Sequence, residues 1–409
     1  MSTYRELYME GRNRLLAAGI VNAEGDARAL LLYASGMSLN QLLLSYEDEV
    51  SEATGDRHQN IAERYLDMID RRCAHVPLQY ITHVQNFCGY DMYVDEHVLI
   101  PRQDTEILVE KVLDACGRRE DAADDHYVNI AEKSSRHTED TAEYEDYAAD
   151  DEENGYGFAG CGEYEDHLAD SGCGGYVSKN CGDAGKSLLD LCTGSGCIAI
   201  ALKLLGDFDE VYGSDISPEA LKIARRNAEA NGAHVTFLES DMFQGVDGDI
   251  KFDVIVSNPP YIPDTQVDGL DEEVRNHEPR LALAGEADGL YFYRKIAREA
   301  GGYLKDGGRL FLEIGCDQGE AVSELLRAAG TASCECGSSV MRDALSDALE
   351  RQCSNDKLQH MGSDEEADLS DDDRRNVQTR NGHYENIEIT KDLAGLERVV
   401  SAIWRRTDA

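Results

Sequence analysis

Basic residues are scarce in this chain: 39 lysines and arginines stand against 81 aspartates and glutamates over 409 residues, a formal net charge of −42. A protein that grips a phosphate backbone needs a basic surface, and no basic stripe runs along the sequence. Long apolar runs are missing too. No stretch reaches the roughly 18 apolar residues needed to cross a bilayer, and Met1-Ser2-Thr3-Tyr4-Arg5-Glu6 lacks a signal peptide's apolar core, so the expectation is a soluble, cytoplasmic protein. The 12 cysteines form no C-x-x-C pair and no zinc spacing. Cys161, Cys173 and Cys181 with His167 are too irregularly spaced to predict a metal, and His83, His97 and His277 have no base or metal partner beside them. No metal site is expected, and the thiols should be reduced.

Most informative of what is present is Asn258-Pro259-Pro260-Tyr261, at the end of the apolar run Phe252-Asp253-Val254-Ile255-Val256-Ser257. It suits a planar nitrogen whose lone pair is delocalised. An Asn side-chain oxygen and the next carbonyl can each accept one N–H, which fixes the NH2 and favours charge growing on nitrogen. The two prolines stiffen that carbonyl, since each ring locks φ and Pro260 restricts Pro259 to extended conformations. Tyr261 offers a flat face on which the substrate plane can stack. The chemistry indicated is methyl transfer to an amide or exocyclic amine, with alignment doing most of the work.

A second motif precedes it. Leu188-Leu189-Asp190-Leu191-Cys192-Thr193-Gly194-Ser195-Gly196, followed by the apolar run Cys197 to Leu205, reads as strand, glycine turn and helix. Gly194 and Gly196 let backbone approach a ligand, and the helix start offers unpaired N–H groups. The turn matches neither G-x-G-x-x-G nor a phosphate-loop pattern. The next strand, Glu210 to Ser214, ends in Asp215, about 20 residues on, where an acid can hold ribose hydroxyls.

Ser217-Pro218-Glu219 then opens a helix that stops at Asn231-Gly232. Further strands are predicted at His234 to Glu239, Phe252 to Ser257 and Gly308 to Gly315. Such alternation predicts an α/β fold, a mostly parallel sheet covered by helices, with Asp190, Asp215, Asp241 and Asn258 facing one crevice at the strands' carboxyl ends. The first 85 residues differ. Tyr4, Leu7, Tyr8, Leu15 and Leu16, then Ala29 to Tyr33, then Ile61, Tyr65, Leu66 and Ile69 recur at helical spacing, predicting a small all-helical domain. Residues 86–97 should form a β connection and 98–409 the catalytic domain. That domain carries two acidic, aliphatic-poor insertions, at about 118–185 and 331–385, expected to be largely disordered surface loops.

With these motifs in hand, the chain resembles the S-adenosylmethionine-dependent class I methyltransferases, and within them the release-factor glutamine N5-methyltransferases of the HemK type. The narrowing segments are Pro77-Leu78-Gln79-Tyr80-Ile81, Leu99-Ile100-Pro101-Arg102-Gln103-Asp104-Thr105-Glu106, Asn276-His277-Glu278-Pro279, Leu283-Ala284-Gly285, Asp288-Gly289-Leu290 and Lys391-Asp392-Leu393-Ala394-Gly395. The resemblance implies a Rossmann-like sheet with helices on both faces and methylation of the glutamine side-chain amide in the Gly-Gly-Gln loop of peptide chain release factors. It further implies that Asp190, Cys192, Thr193, Gly194, Ser195 and Gly196 meet the S-adenosylmethionine donor, that Asp215 binds its ribose, and that Asp241 and Met242 lie by its adenine. Asn258, Pro259, Pro260 and Tyr261 would grip the glutamine, while Arg102, Thr105 and Glu106 close or brace the pocket; the helical domain becomes a platform for the protein substrate. Cys192 stands where the family commonly has glycine, and its presence leads to the expectation that the backbone there avoids positive φ.

Competing readings follow from the same loop. Asn-Pro-Pro-Tyr also occurs in enzymes that methylate DNA adenine, which the acidic balance disfavours, and in enzymes that methylate a ribosomal-protein glutamine. A donor-binding protein without turnover and a nicotinamide dehydrogenase are disfavoured by the intact tetrapeptide.

Overall fold

The structure is a computed structural model that describes residues 2–50, 60–119, 185–329 and 382–407. Nearly all of both predicted insertions lies outside the described residues. The chain divides into two compact units, the first holding residues up to Thr82 and the second running from His83 to Arg119 and from Lys186 onward.

The first unit is helical: Tyr4–Ala17, Ala23–Ser35, Leu39–Leu44, Ile61–Cys73 and Leu78–Thr82. Local sequence sets the helix ends. Thr3 and Glu6 form a reciprocal capping box on the first helix, and Gly36, at φ 67°, ends the second in the left-handed conformation that glycine tolerates. Tyr4, Leu7, Leu15, Leu30, Leu31, Tyr65 and Ile69 form its core, whereas Leu16, grouped with them from spacing, is half exposed on the outer face. A buried ion pair, Arg72 Nε to Asp26 Oδ2 at 2.7 Å, crosses this core. The guanidinium also donates to the Val76 carbonyl, so the desolvated charge is partnered.

The second unit begins with a hairpin, β1 (Val84–Phe87) and β2 (Tyr90–Tyr93). Its two-residue turn, Cys88-Gly89, has both φ values positive, as a tight hairpin requires. There follow the helix Gln103–Cys116, then β3 (Ser187–Leu191), β4 (Glu210–Asp215), β5 (Thr236–Glu239), β6 (Phe252–Ser257), β7 (Leu304–Glu313), β8 (Gly382–Lys391) and β9 (Glu397–Arg406). They form one seven-stranded sheet in the order β5-β4-β3-β6-β7-β9-β8. The first five run parallel, and β9 is antiparallel to both β7 and β8. All five residues of β3 are buried, as expected of a central strand covered on both faces.

The order explains where a ligand can sit. From β3 the chain steps outward to β4 and β5, then returns to the other side of β3 to make β6. Connections leave β3 and β6 in opposite directions, and the gap they open at the carboxyl ends is the switch point where open α/β sheets bind ligands. The glycine turn follows β3 and Asn-Pro-Pro-Tyr follows β6, so topology brings the two motifs together.

Candidate active site

A crevice of about 270 Å³ opens at this switch point. The glycine turn, Asp215, Met242, Asn258 and Pro260 line it, with Arg102 and Thr105 contributed by the segment that starts the helix Gln103–Cys116.

On the β3 side the backbone is left-handed at Cys192 (φ 59°), Gly194 (54°) and Gly196 (81°). The expectation for Cys192 is therefore corrected: the position does demand positive φ, and a cysteine occupies it at a cost of about 1–2 kcal/mol. Its sulfur lies 3.9 Å from the Met242 sulfur, and Met242 is itself left-handed at φ 53°. Gly196 is also closely packed, since a Cβ there would stand 3.1 Å from the Ala224 methyl.

Asp190 is corrected as well. It is fully buried and absent from the crevice wall. Its Oδ2 accepts the Thr193 hydroxyl at 2.6 Å and the Ala199 N–H at 3.2 Å, so the carboxyl ties the turn to the helix Cys197–Leu205 from behind. Burial pushes this group up to about 7 despite those two bonds. Asp215 does stand on the wall. It receives the Gly194 N–H on Oδ2 and the Ser217 N–H on Oδ1, both at 2.9 Å, and burial raises it from the usual carboxylate value. Asp241, at the rim, pairs with Lys295 at 3.2 Å.

The β6 side is held by several clamps. Ser257 donates to the Leu191 carbonyl at 2.8 Å, locking the ends of β6 and β3 together. Asn258 Nδ2 donates to Thr105 Oγ1 at 3.3 Å. Among the described residues no protein donor meets Asn258 Oδ1 or the Pro259 carbonyl. Tyr261 departs from the expected stacking face: its ring packs against the sheet's core cluster, neither it nor Pro259 lines the crevice, and its carbonyl accepts Gln318 Nε2 at 3.0 Å. Two glycines lie against this loop. A Cβ on Gly285 would fall 2.8 Å from the Tyr261 Cα, and one on Gly289, already at φ 74°, 2.4 Å from the Tyr261 oxygen. The Leu-Ala-Gly and Asp-Gly-Leu segments are thus where backbone meets backbone behind the tetrapeptide.

The supporting residues divide. Arg102 forms a short ion pair with Glu278, whose Oε2 also accepts the Ile100 N–H at 3.4 Å; burial raises the Glu278 carboxyl while Arg102 opposes the shift. Glu106 does not reach the crevice but accepts the Cys88 N–H at 2.8 Å, fixing the hairpin turn. Sequence reasoning missed three groups. Asn227, buried in the helix Pro218–Ala230, donates to the Ser195 and Tyr93 carbonyls at 2.9 and 3.0 Å and accepts the Tyr93 N–H at 2.7 Å. Glu313, ending β7, is buried, and Gln318 follows in the next turn. An acid and an amide closing a predicted strand, Glu313-Ile314-Gly315-Cys316-Asp317-Gln318, were the available signal. Asp95, Glu96 and His97 bring three potential ligand atoms within 4.8 Å in a largely exposed setting. The described cysteines Cys73, Cys88, Cys116, Cys192, Cys197 and Cys316 are free thiols, and Cys161, Cys173, Cys181 and His167 lie outside the described residues. No described helix is long and apolar enough to cross a membrane.

Comparison with known proteins agrees with this arrangement. Residues 6–82 match the PrmC N-terminal domain family and residues 165–277 the Methyltransferase small domain family. The release factor glutamine methyltransferase of Moorella thermoacetica is 36% identical over 330 residues, covering 80% of this chain and 91% of the relative. That of Geobacter sulfurreducens is 33% identical over 337 residues, covering 81% and 91%. A Bifunctional methyltransferase of Rickettsia felis is 32% identical over 330 residues, covering 80% of this chain and 54% of its own length. With the switch-point crevice, the glycine turn and the braced Asn-Pro-Pro-Tyr loop, this similarity over nearly the full length of the single-function relatives means that the chain belongs to the release factor glutamine methyltransferase family.

Proposed function

We propose that the protein transfers a methyl group from S-adenosylmethionine to the side-chain amide nitrogen of the glutamine in the Gly-Gly-Gln loop of peptide chain release factors. The observation that carries this reading is the pair of unclaimed acceptors, Asn258 Oδ1 and the Pro259 carbonyl, on a loop braced from three sides. A carboxamide NH2 has two protons to give, and two fixed acceptors orient it while stabilising the positive charge that grows on nitrogen.

The donor supplies a methyl carbon activated by the neighbouring sulfonium charge. The crevice fits such a group: left-handed backbone at Gly194 and Gly196 keeps the turn open, and Asp215, with both oxygens already oriented by backbone N–H groups, retains lone pairs for two hydroxyls. Met242, Ile198 and Phe292 supply apolar wall for a base. We assign Cys192 to Gly196 to shaping the donor site, Asp215 to the ribose, and Asp241 with Met242 to the base end. Asn258 and the Pro259 carbonyl hold the amide; Pro260 stiffens the loop and Tyr261 anchors it. Arg102 and Thr105 brace the wall. No strong base is required, because the activated carbon needs mainly alignment, and the surplus proton can leave after transfer.

We assign the helical unit to recognition of the protein substrate. The reading puts the protein where translation terminates, in the cytoplasm, with no direct nucleic-acid contact needed. Methyl-labelled donor incubated with a release factor, with its loop Gln→Ala variant, with a ribosomal protein or with duplex DNA tests it. Label confined to the intact release factor is expected. Uptake by the alanine variant, by the ribosomal protein alone or by DNA overturns the assignment.

A further inference from the structure

In the sheet unit, large apolar side chains are exposed at one end only. Among its described residues they are Ile216, Leu281, Tyr291, Leu393 and Leu396. The first three line the crevice. Leu393 and Leu396 stand on the turn between β8 and β9, which has no part in the chemistry described so far. Single exposed leucines are ordinary on a protein surface, but a set gathered at one end marks an interaction site.

Strand register fixes where that turn lies. Ser257 on β6 pairs with Leu312 on β7, and Glu313, the next residue of β7, pairs with Val399 on β9. Asn258 is therefore level with Val399 and two strand spacings from it, about 10 Å. Because β9 runs antiparallel to β7, the residues before Val399 continue past the carboxyl edge of the sheet. Leu396 lies three residues further on, about 10 Å beyond that edge. The turn is a prong standing beside the crevice mouth.

The prong is also ordered and uncharged at its tip. The Asp392 N–H donates to the Leu396 carbonyl at 2.8 Å and the Gly395 N–H to the Asp392 carbonyl at 3.0 Å, while Asp392 Oδ1 accepts the Leu396 N–H at 2.9 Å. Arg398 joins Asp392 to Asp104, each at 2.9 Å, and so ties the turn to the helix Gln103–Cys116, whose Thr105 lines the crevice. Lys391 pairs with Glu397 at 3.7 Å. The flanking charges are thus satisfied within the unit, and Leu393-Ala394-Gly395-Leu396 is exposed throughout. A surface already held in shape gives up little entropy when a partner seats on it.

Resting on the amide-methylation reading above, we propose that the β8–β9 turn is a docking prong for the protein substrate, with Leu393 and Leu396 seated on an apolar surface of the release factor beside its glutamine loop. The occupant follows from position. A glutamine that enters the crevice on a loop brings the body carrying that loop over the rim, and the prong stands at that rim.

Steady-state methylation of a release factor tests this with native protein, Leu393→Ser, Leu396→Ser, the double variant and Leu393→Met. Each serine variant should raise KM for the release factor about tenfold, as expected for a leucine partly buried on binding. Turnover at saturating release factor and donor affinity by calorimetry should stay within about twofold, the signature of lost binding that is uniform along the reaction. Leu393→Met should keep the native KM, and native-like fluorescence of Trp404, on β9, shows that the strand behind the turn is in place. A double variant with KM within about twofold of native overturns the proposal. So does a fall in donor affinity matching the change in KM, which would make the turn a support for the donor site. Native self-association in sedimentation that the double variant lacks, with KM unaltered, would assign the turn to a second copy of the chain instead. Failure of the native protein to bind and label the release factor would overturn the substrate assignment and the prong's occupant with it, whereas normal labelling with unaltered KM overturns the prong alone.

Discussion

Asn227→Ala is the substitution whose outcome the structure fixes most tightly. The side chain, 1% exposed, closes three hydrogen bonds at 2.9, 3.0 and 2.7 Å to the Ser195 carbonyl and to both backbone groups of Tyr93. At about 1 kcal/mol net per bond, their loss destabilises by about 3 kcal/mol, with more if the stranded N–H and carbonyls find no water. Alanine returns about 0.5 kcal/mol in helix propensity, so the expected loss is about 2–3 kcal/mol. The chain has a single tryptophan, Trp404, buried in β9, so urea unfolding followed by its fluorescence reads the sheet unit alone. Donor affinity should weaken about fivefold as well, because the bond to Ser195 holds the glycine turn and one such bond is about 1 kcal/mol. Asn227→Asp separates hydrogen bonding from filling of space. It keeps the volume but points a carboxylate at two carbonyls, so it should be at least as damaging as alanine. A loss under about 1 kcal/mol in the alanine variant, or a benign aspartate, would refute the reasoning.

Three further outcomes are expected. Asn258→Ala should lower turnover by about 10²–10³ while leaving donor affinity by calorimetry nearly unchanged; a drop below tenfold would remove the acceptor role. Gly289→Ala combines a left-handed φ of 74° with a Cβ 2.4 Å from the Tyr261 oxygen, so it must displace the tetrapeptide, and kcat should fall far more than donor binding. Asp190 is held up to about 7 in the folded protein against an ordinary 3.8. A carboxyl raised on folding adds stability that is complete below its unfolded value and lost as pH rises through its folded one. Stability of the sheet unit should therefore decline between about pH 4 and 7, and Asp190→Asn should flatten that slope in the same Trp404 measurement. An unchanged slope would mean the carboxyl is ionised in the fold.

The two levels of description divide along a physical line. Strand and turn chemistry is local, and the sequence alone placed strands at Glu210 to Ser214 and Phe252 to Ser257 where β4 and β6 lie. It also brought the glycine turn and Asn-Pro-Pro-Tyr to one end of a parallel sheet, because βαβ alternation leaves few other arrangements. Boundaries were less exact: the strand predicted from Gly308 to Gly315 spans Leu304–Glu313, and His234 to Glu239 shortens to Thr236–Glu239. What the sequence could not reveal was the direction in which buried polar groups spend their hydrogen bonds. Asp190 reads as a ligand but faces backward to Thr193 and Ala199, Cys192 takes a glycine's φ, and Tyr261 turns its ring to the core. Glu313, 55 positions beyond Asn258 in sequence, is brought beside it only by the pairing of β6 with β7. Periodicity and turn residues depend on neighbours a few positions away and are legible in one dimension, whereas the partners of a buried acid or amide are chosen by the packing of distant segments.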